Sequence, residues 1–162
     1  MTYELRPALW EDNPFLEALY ADVHGAELAS LSLLAPALAH LVALRLKAER
    51  MSLAAKFPDS DHSIISVGNT GIGHLRLNET PTEIELIDVA LLTPFRDAGV
   101  GASIIQQLQA YAAERSLPLR LSVDPQNAAT RLFDRLGFVT IAANTARADM
   151  EWNAPPSVSN EK

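Results

Sequence analysis

The strongest limit on the fold of this sequence is an apolar strand that leads through a Gly-x-Gly turn into an amphipathic helix. Residues 83–92 become apolar at nearly every position towards their C-terminal end, which predicts a strand covered on both faces. Gly99 and Gly101 follow, and residues 98–116 carry apolar side chains on one stripe of a predicted helix that ends before Pro118. The pattern therefore predicts an α/β fold with residues 83–92 near the centre of its sheet.

Hydrophobic periodicity predicts further elements on both sides of this central strand. Before it, the chain is predicted to form a strand over 2–6, helices over 13–24 and 36–57, and a hairpin of strands 64–67 and 72–77 joined by Gly-Asn-Thr-Gly. After the helix, it is predicted to form a strand over 119–123, a short helix over 127–136 ended by Gly137, and strands over 138–142 and 148–152.

The chain has the size of one domain. Its 162 residues are enough to bury a sizeable core, and no repeat or linker divides them. We therefore predict a single domain over residues 1–152. Residues 153–162 are small, polar and proline-rich, and they are predicted to form a disordered tail.

Charge and composition exclude several classes of function. Thirteen Lys and Arg against twenty Asp and Glu give a net charge of −7, which opposes binding to nucleic acid. No apolar run is long enough to span a membrane and the first residues do not resemble a secretory signal, so we expect a cytoplasmic protein. The chain has no cysteine and its four histidines lack metal-binding spacing, so no thiolate nucleophile and no metal are expected.

The Gly-x-Gly turn has two interpretations that the turn by itself leaves open. Glycines let a backbone approach a phosphate closely beside the free N–H groups of a helix start, but they also simply permit a tight turn. A P-loop is excluded because Ala102 and Ser103 follow Gly101 where a lysine is required. A Rossmann fingerprint fits poorly because Ile104 stands in the place of its third glycine.

Two motifs resemble those of the GNAT superfamily of acyl-CoA-dependent N-acyltransferases. The segment Arg-Asp-Ala-Gly-Val-Gly over 96–101 is similar to the acyl-CoA loop, Q/R-x-x-G-x-G/A, that follows a central strand in that family. Residues 127–138 are similar to its N-x-x-A-x-x-x-Y-x-x-x-G-F segment and end in the same Leu-Gly-Phe. The order of predicted elements over residues 2–152 also matches the family.

The resemblance implies a three-layer GNAT-like fold whose mostly antiparallel sheet is splayed between strands 4 and 5. It also implies acetyl-CoA as co-substrate, with the pantetheine arm paired to the backbone of strand 4 and the pyrophosphate held by N–H groups without a metal ion. The implied cofactor-binding residues are Val89, Ala90, Leu91, Arg96, Asp97, Ala98, Gly99, Val100, Gly101, Ala102 and Asn127.

The sequence departs from the family pattern at several of these positions. Ala98 stands where the family often has a basic residue, and Asp97 adds a negative charge beside the expected pyrophosphate. Asn127 lies one position out of register with the motif asparagine, and Gln126 is its in-register rival. Phe133 replaces the tyrosine that usually protonates the leaving thiolate, so water or another residue must supply that proton.

A carboxylate near this site is expected to take the proton of an amine nucleophile. The candidates on strand 4 are Glu85 and Asp88, with Glu83 as a third. Strand alternation places Glu83 and Glu85 on one face and Asp88 on the other, unless a bulge changes the parity. Asp88 lies among apolar residues, where burial without a partner is costly, so either catalysis or a structural hydrogen bond would account for it.

The resemblance implies an N-acetyltransferase that moves an acetyl group from acetyl-CoA to a primary amine by direct attack in a ternary complex. The acceptor would be a small molecule or a peptide. The alternative is an acyl-CoA-binding sensor or interaction module that lost catalysis with Phe133, and a structural domain without CoA is a third hypothesis. A homodimer is compatible with this architecture, whereas nucleic acid and membranes are not expected partners.

Overall fold

The computed structural model describes residues 3–156, and their helices and strands follow the predicted order with one additional helix, α2. The helices are α1 (Asn13–Val23), α2 (Gly25–Ser30), α3 (Ala35–Lys56), α4 (Val100–Glu114) and α5 (Ala129–Arg135). The strands are β1 (Glu4–Pro7), β2 (Asp61–Val67), β3 (Thr70–Glu79), β4 (Ile84–Leu91), β5 (Leu119–Val123), β6 (Val139–Ala143) and β7 (Ala148–Trp152). None of the helices in the described part of the chain has the length and apolar character needed to cross a membrane.

The strands of the described residues form a seven-stranded mixed sheet in the order β1-β2-β3-β4-β5-β7-β6. β4 and β5 run parallel, with Ile84 opposite Leu119 and Leu86 opposite Leu121. The pairs β1–β2, β2–β3, β5–β7 and β6–β7 are antiparallel. The predicted α/β fold with a mostly antiparallel sheet is confirmed, and β4 occupies the central position expected for residues 83–92.

The chain divides into two compact units. The first unit contains the residues up to Asn78 together with Ile87–Gly101, and the second contains Glu79–Leu86 and the residues from Ala102 onward. β4 therefore contributes residues to both units. The single domain over residues 1–152 and the disordered tail over 153–162 stay predictions, and residues 157–162 of that tail lie outside the described residues.

The core of the first unit combines one helix face with the β2–β3 hairpin. α1 has Pro14 in its first turn, where the missing N–H costs nothing, and it buries Leu16 and Leu19. The hairpin adds side chains that are almost completely buried: Ile64, Ile65, Ile72 and Leu75. α1 also packs against α3, whose Val42 is buried. Apolar burial of this kind is the main stabilising contribution in a unit of this size.

The core of the second unit combines alternate strand residues with one stripe of α4. Leu119 and Leu121 on β5 are buried together with Met150 on β7, as period-two alternation requires. The stripe of α4 consists of Ile104, Ile105, Leu108 and Ala112, all of them buried. The side-chain amide of Gln109 donates to the carbonyl of Leu136 at 2.7 Å, which ties α4 to the end of α5.

Candidate functional site

The segment between β4 and α4 forms an open loop in the first unit. A 3₁₀ turn, Thr93–Phe95, leads into Asp97 and Gly99, whose φ angles of 60° and 79° lie in the left-handed region. A Cβ atom at Gly99 would meet no atom within 4 Å, so the space in front of the loop is open. Since such a φ favours glycine, the loop conformation itself accounts for this residue.

The loop ends at the N-terminus of α4, which supplies hydrogen-bond donors. Val100 is the first residue of α4 and is buried, whereas Asp97 and Ala98 are exposed. Gly101 and Ala102 are the next residues of its first turn. The first N–H groups of a helix have no intrahelical acceptor and lie at the positive end of its dipole, so they suit a phosphate group. The Asp97 carboxylate is the one feature of the loop that opposes an anion.

Arg96 anchors the loop to β4 and α1. Its Nε donates to the carbonyl of Leu91 at 2.8 Å, and its Nη2 donates to Oδ2 of Asp22 at 2.9 Å. Asp22, on α1, also accepts hydrogen bonds from the backbone N–H of Thr93 at 2.8 Å and from its hydroxyl at 2.9 Å. The hydrogen bonds from Thr93, with the charge of Arg96, lower the pKa of Asp22. The cofactor-binding role expected of Arg96 stays a prediction.

The end of β4 lies against β3 with no room for a side chain between them. A Cβ atom at Gly73 would overlap the carbonyl oxygen of Ala90 and would lie 2.8 Å from Cδ2 of Leu91. The backbone N–H of Leu92 donates to the carbonyl of Ile72 at 2.8 Å and continues the contact. Gly73 therefore sets the position of Ala90 and Leu91, two of the residues expected to pair with a pantetheine arm.

Asp88 has a partner in the structure. Nε2 of His74 on β3 lies 3.0 Å from its Oδ2, and the His74 and Asp88 side chains are 15% and 37% exposed. Partial burial alone would raise the pKa of Asp88, but the hydrogen bonds from His74 and from the backbone N–H of Val89, with the charge of Arg76, keep the pKa below its ordinary value. Nδ1 of His74 lies in turn 2.9 Å from Nε2 of His62.

Further charged side chains surround this pair. Burial, followed by the negative charge of Asp88, raises the pKa of Glu49 on α3. Burial also lowers the pKa of Arg76 on β3. Its Nε is buried and has no hydrogen-bond partner among the described residues, while its Nη1 lies 3.4 Å from the hydroxyl of Ser60. The first unit thus gathers residues of both charges around Asp88.

Sequence reasoning did not single out His62, His74 or Asp22. The hairpin register pairs Ile64 with His74 and His62 with Arg76, so the two histidines lie on one face of the sheet. The turn alone would not give this register, because a β-bulge between Ile65 and Ser66 shifts it by one residue. The hairpin signal predicted the two strands but not the face that the histidines share. No comparable signal exists for Asp22, which meets Thr93 only through the tertiary fold.

Glu85 belongs to the second unit and has different neighbours. It is opposite Arg120 on β5, whose guanidinium lies 3.2 Å from Glu83 and 2.6 Å from Glu151. Glu83 and Glu85 line a surface pocket together with Arg120, Leu121, Ser122, Ile141, Arg147, Asp149 and Met150. The two candidate bases, Glu85 and Asp88, therefore have different surroundings, and the catalytic role of each stays a prediction.

A family comparison decides what kind of chain this is. A sequence model described as the acetyltransferase (GNAT) family matches residues 27–138, more than half of the chain. The chain belongs to the GNAT acetyltransferase family. Comparison with curated proteins finds no significant match.

Solved structures of acetyltransferases share the fold of this GNAT acetyltransferase. The PaiA N-acetyltransferase of Thermoplasma acidophilum, in complex with coenzyme A, has a TM-score of 0.69 and 16% identity over 95% of this chain and 100% of its own. An acetyltransferase of Thermus thermophilus has a TM-score of 0.69 and 16% identity over 95% of this chain and 98% of its own. The ribosomal-protein-S18-alanine N-acetyltransferase of Escherichia coli has a TM-score of 0.65 and 14% identity over 99% of both chains.

The second GNAT motif contributes to the structure of the second unit. Oδ1 of Asn127 accepts the N–H of Ala129 at 2.9 Å and forms a turn directly before α5. Gln126, its rival, is exposed, and its backbone N–H donates to Asp124. Phe133 is only 6% exposed, and its ring packs edge-on against Phe138 with centroids 5.5 Å apart. Cofactor binding by Asn127 stays a prediction.

The histidines of this acetyltransferase do not form a metal centre in the described part of the chain. Across residues 3–156, no group of three or more His, Cys, Asp or Glu side chains converges on one point. His62, His74 and Asp88 are arranged in a hydrogen-bonded line instead, in which the nitrogen atoms face their neighbours.

Proposed function

We propose that this GNAT acetyltransferase moves an acetyl group from acetyl-CoA to a primary amine by direct attack in a ternary complex. The observation that carries the proposal is the open loop between β4 and α4, with left-handed Gly99 and the N-terminus of α4 beside it. The CoA complex of the structurally similar PaiA enzyme supports the cofactor. The acceptor would be a small molecule or a peptide, as expected from the sequence.

The residues present fit this co-substrate. The loop and the first turn of α4, residues 97–102, offer N–H groups to a pyrophosphate, and the Gly99 side of the loop is open. Val89, Ala90 and Leu91 offer backbone groups to the pantetheine arm, although the Leu91 carbonyl already accepts a bond from Arg96. When bound, acetyl-CoA supplies an activated acyl group that an amine nitrogen can attack.

We assign the proton-accepting role to Asp88 ahead of Glu85. Asp88 directly precedes Val89, where the pantetheine arm would begin to pair, and its carboxylate is held by His74. Glu85 lies beside Arg120, which supplies a positive charge to that side of the sheet. Phe133 has no hydroxyl group, so the thiol product takes its proton from water or from a neighbouring group.

Glycine substitutions in two loops test the cofactor site. Gly99 and Gly68 both have positive φ and open space around them, so Gly99→Ala and Gly68→Ala cost similar stability, about 1 kcal/mol. Only Gly99→Ala is expected to weaken CoA binding in calorimetry.

A second substitution tests the first turn of α4. Gly101→Val is expected to abolish CoA binding, and Gly25→Val in the first turn of α2 is its control. Unchanged CoA affinity in folded Gly99→Ala and Gly101→Val variants would remove the basis of the proposal.

Turnover is tested by incubating the protein with acetyl-CoA and a panel of primary amines while free thiol is followed. Thiol release that depends on an amine supports the acetyltransferase. The second candidate, an acyl-CoA sensor without catalysis, is favoured by the buried, hydroxyl-free Phe133. Tight CoA binding with no turnover across the panel would establish that candidate instead. Cytoplasmic location and a homodimer belong to this proposal as expectations from the sequence.

A further inference from the structure

A line of hydrogen-bonded side chains leads away from Asp88 across β3 and β2 of the first unit. His74 Nε2 lies 3.0 Å from Asp88 Oδ2, and His74 Nδ1 lies 2.9 Å from His62 Nε2. The two imidazole rings are nearly perpendicular, with centroids 5.1 Å apart. Both nitrogens of His74 are therefore engaged, one by a carboxylate and the other by a second imidazole.

The partners determine which atoms carry protons. An ionised carboxylate can only accept, so Nε2 of His74 donates to Asp88. In a neutral His74 the other ring nitrogen is an acceptor, so its Nδ1 would receive the Nε2–H of His62. Burial, followed by the positive charge of Arg76, lowers the pKa of His62 to about 3, and this ring is therefore neutral at pH 7.

We propose that His74, held in one tautomer by His62, is a positioning residue that fixes the direction of the Asp88 carboxylate towards the acceptor amine. The inference rests on the proposed function and adds two residues to its machinery. Neither histidine touches the reacting atoms in this proposal. His74 acts through Asp88, and His62 acts through His74.

The acceptor ammonium loses two protons in the transfer. One proton of the acceptor ammonium moves to a carboxylate oxygen of Asp88 and from there to water. The nitrogen lone pair forms the new C–N bond as the C–S bond breaks and its electron pair leaves on sulfur. The nitrogen then releases its second proton to water, and the sulfur takes a proton from water or from a neighbouring group. The bond from His74 makes Asp88 a weaker base but keeps it ionised and aimed, so the transfer depends on geometry.

The tautomer of His74 is measured by two-dimensional ¹⁵N–¹H NMR of the imidazole groups in the protein without acetyl-CoA. We expect His74 to be protonated at Nε2 and bare at Nδ1. In His62→Phe only Asp88 still holds this tautomer, so we expect the form protonated at Nδ1 to become detectable beside it. A His74 that is protonated at Nδ1 in the unsubstituted protein would overturn the proposal. This readout needs no turnover, so it stands or fails separately from the proposed function.

Steady-state kinetics of His74→Phe test the effect on the reaction. We expect kcat to fall by about 10–100-fold, up to the lower end of the roughly 10²–10⁴-fold contribution of a general base, while KM for acetyl-CoA changes less than about twofold. His74→Gln retains an N–H donor for Asp88 and is expected to recover most of kcat. If His74→Phe does not fold, kcat of His74→Gln is the measurement that tests the proposal. A fall confined to KM, or an unchanged kcat in folded His74→Phe, contradicts the positioning role.

The pH profile gives a second readout that a structural role would not move. Asp88 must be ionised to act, and loss of the His74 hydrogen bond raises its pKa, so the acid limb of kcat/KM shifts to higher pH in His74→Phe. The charged groups that face this line are the same in the unsubstituted protein and in His74→Phe: Asp12, Glu49, Arg50 and Arg76. If the acid limb lies at the same pH in the unsubstituted protein and in His74→Phe, a group other than Asp88 takes the proton of the amine.

One pair of variants and a single control complete the experiment. His62→Gln keeps an N–H for His74 Nδ1, whereas His62→Phe does not, so we expect only the phenylalanine variant to lose kcat. Equal activity of the two would remove His62 from the proposal. His40→Phe, at an exposed position on α3, makes the same chemical change away from the line and is expected to leave kcat unaltered. A chain that keeps the predicted tautomer but acetylates no amine would overturn the proposed function alone.

Discussion

Asp22 shows how one carboxylate can determine the shape of a loop that is distant in sequence. It accepts hydrogen bonds from the backbone and hydroxyl of Thr93 and from the guanidinium of Arg96. Arg96 is the basic residue of the loop motif, and the structure shows it bonded to Asp22 and to the Leu91 carbonyl. Its charge is thus balanced within the protein, and it supports the backbone that would meet a phosphate.

We predict that Asp22→Asn weakens CoA binding by about three- to tenfold, because the loop loses a charge-assisted hydrogen bond while its N–H groups remain. The expected change is in Kd and in KM for acetyl-CoA, with kcat unaltered. Calorimetry with CoA and initial-rate kinetics measure these quantities. Glu17→Gln removes the same charge from α1 and serves as the control. A loss of kcat without a change in Kd would contradict this role.

Phe133 is a core residue that has no polar function. Phe133→Tyr places a hydroxyl in the contact with Phe138, and we predict a loss of about 1–3 kcal/mol in the free energy of unfolding if that hydroxyl finds no acceptor. Turnover should change by less than about tenfold, below the roughly 10²–10⁴-fold effect of a positioned acid. Urea denaturation and thiol release measure the two effects, and Phe138→Tyr is the matched control. Activity that appears only in Phe133→Tyr would support the sensor hypothesis.

At the scale of elements, the contact between β3 and β4 depends on a missing side chain. Gly73 lies so close to Ala90 that a Cβ atom would overlap the carbonyl oxygen. This close approach fixes the end of β4, the segment that leads into the loop. The atoms it meets are mostly backbone, which cannot rotate away as a flexible side chain can.

We predict that Gly73→Ala lowers the free energy of unfolding by about 1–3 kcal/mol or more, the cost of overpacking, because β3 and β4 must separate. The displacement of Ala90 should also weaken CoA binding. Gly71→Ala on the same strand is the control, since its Cβ would meet the Phe15 ring at 3.3 Å, a side chain that can shift. Thermal unfolding followed by circular dichroism compares the two. Equal melting temperatures would contradict the close approach.

Local patterns predicted the elements well where a strand or helix is set by its own period and its own end signals. β5 and β7 were predicted with the bounds that the structure has. Pro118 and Asp124 stand directly before and after β5, and the alternation of apolar and polar residues marks β7. α4 begins two residues later than predicted, because Asp97 and Gly99 have left-handed backbones that cannot continue a helix. α5 also begins later, because Asn127 forms a turn in which its side chain accepts the N–H of Ala129.

The site was predictable only in part for a physical reason. The loop glycines are local in sequence, so their motif could be recognised, and Asp88 was notable because a carboxylate in an apolar strand needs a partner. The partner itself, His74, depends on strand pairing, and α2 depends on the burial of Leu28. Contacts of this kind form only when distant segments meet in the tertiary fold. Composition and periodicity therefore do not predict which residues make them.

At the scale of the whole molecule, the two compact units can unfold together or separately. The single domain predicted from the sequence implies one cooperative transition. Trp10→Phe leaves Trp152, in the second unit, as the only tryptophan, while α3, the longest helix, lies in the first unit. We predict that tryptophan fluorescence and helical ellipticity in the far ultraviolet give the same urea midpoint. Two separate midpoints would show that the units are independent domains.

The first unit is interrupted by residues that belong to the second, and this affects the order in which the chain is assembled during synthesis. Its helices and the β2–β3 hairpin leave the ribosome first, but the unit is incomplete until Ile87–Gly101 follows. The segment that joins last holds Asp88 and the glycine loop. Substitutions there therefore act late in the folding of this unit, so they should speed its unfolding more than they slow its folding.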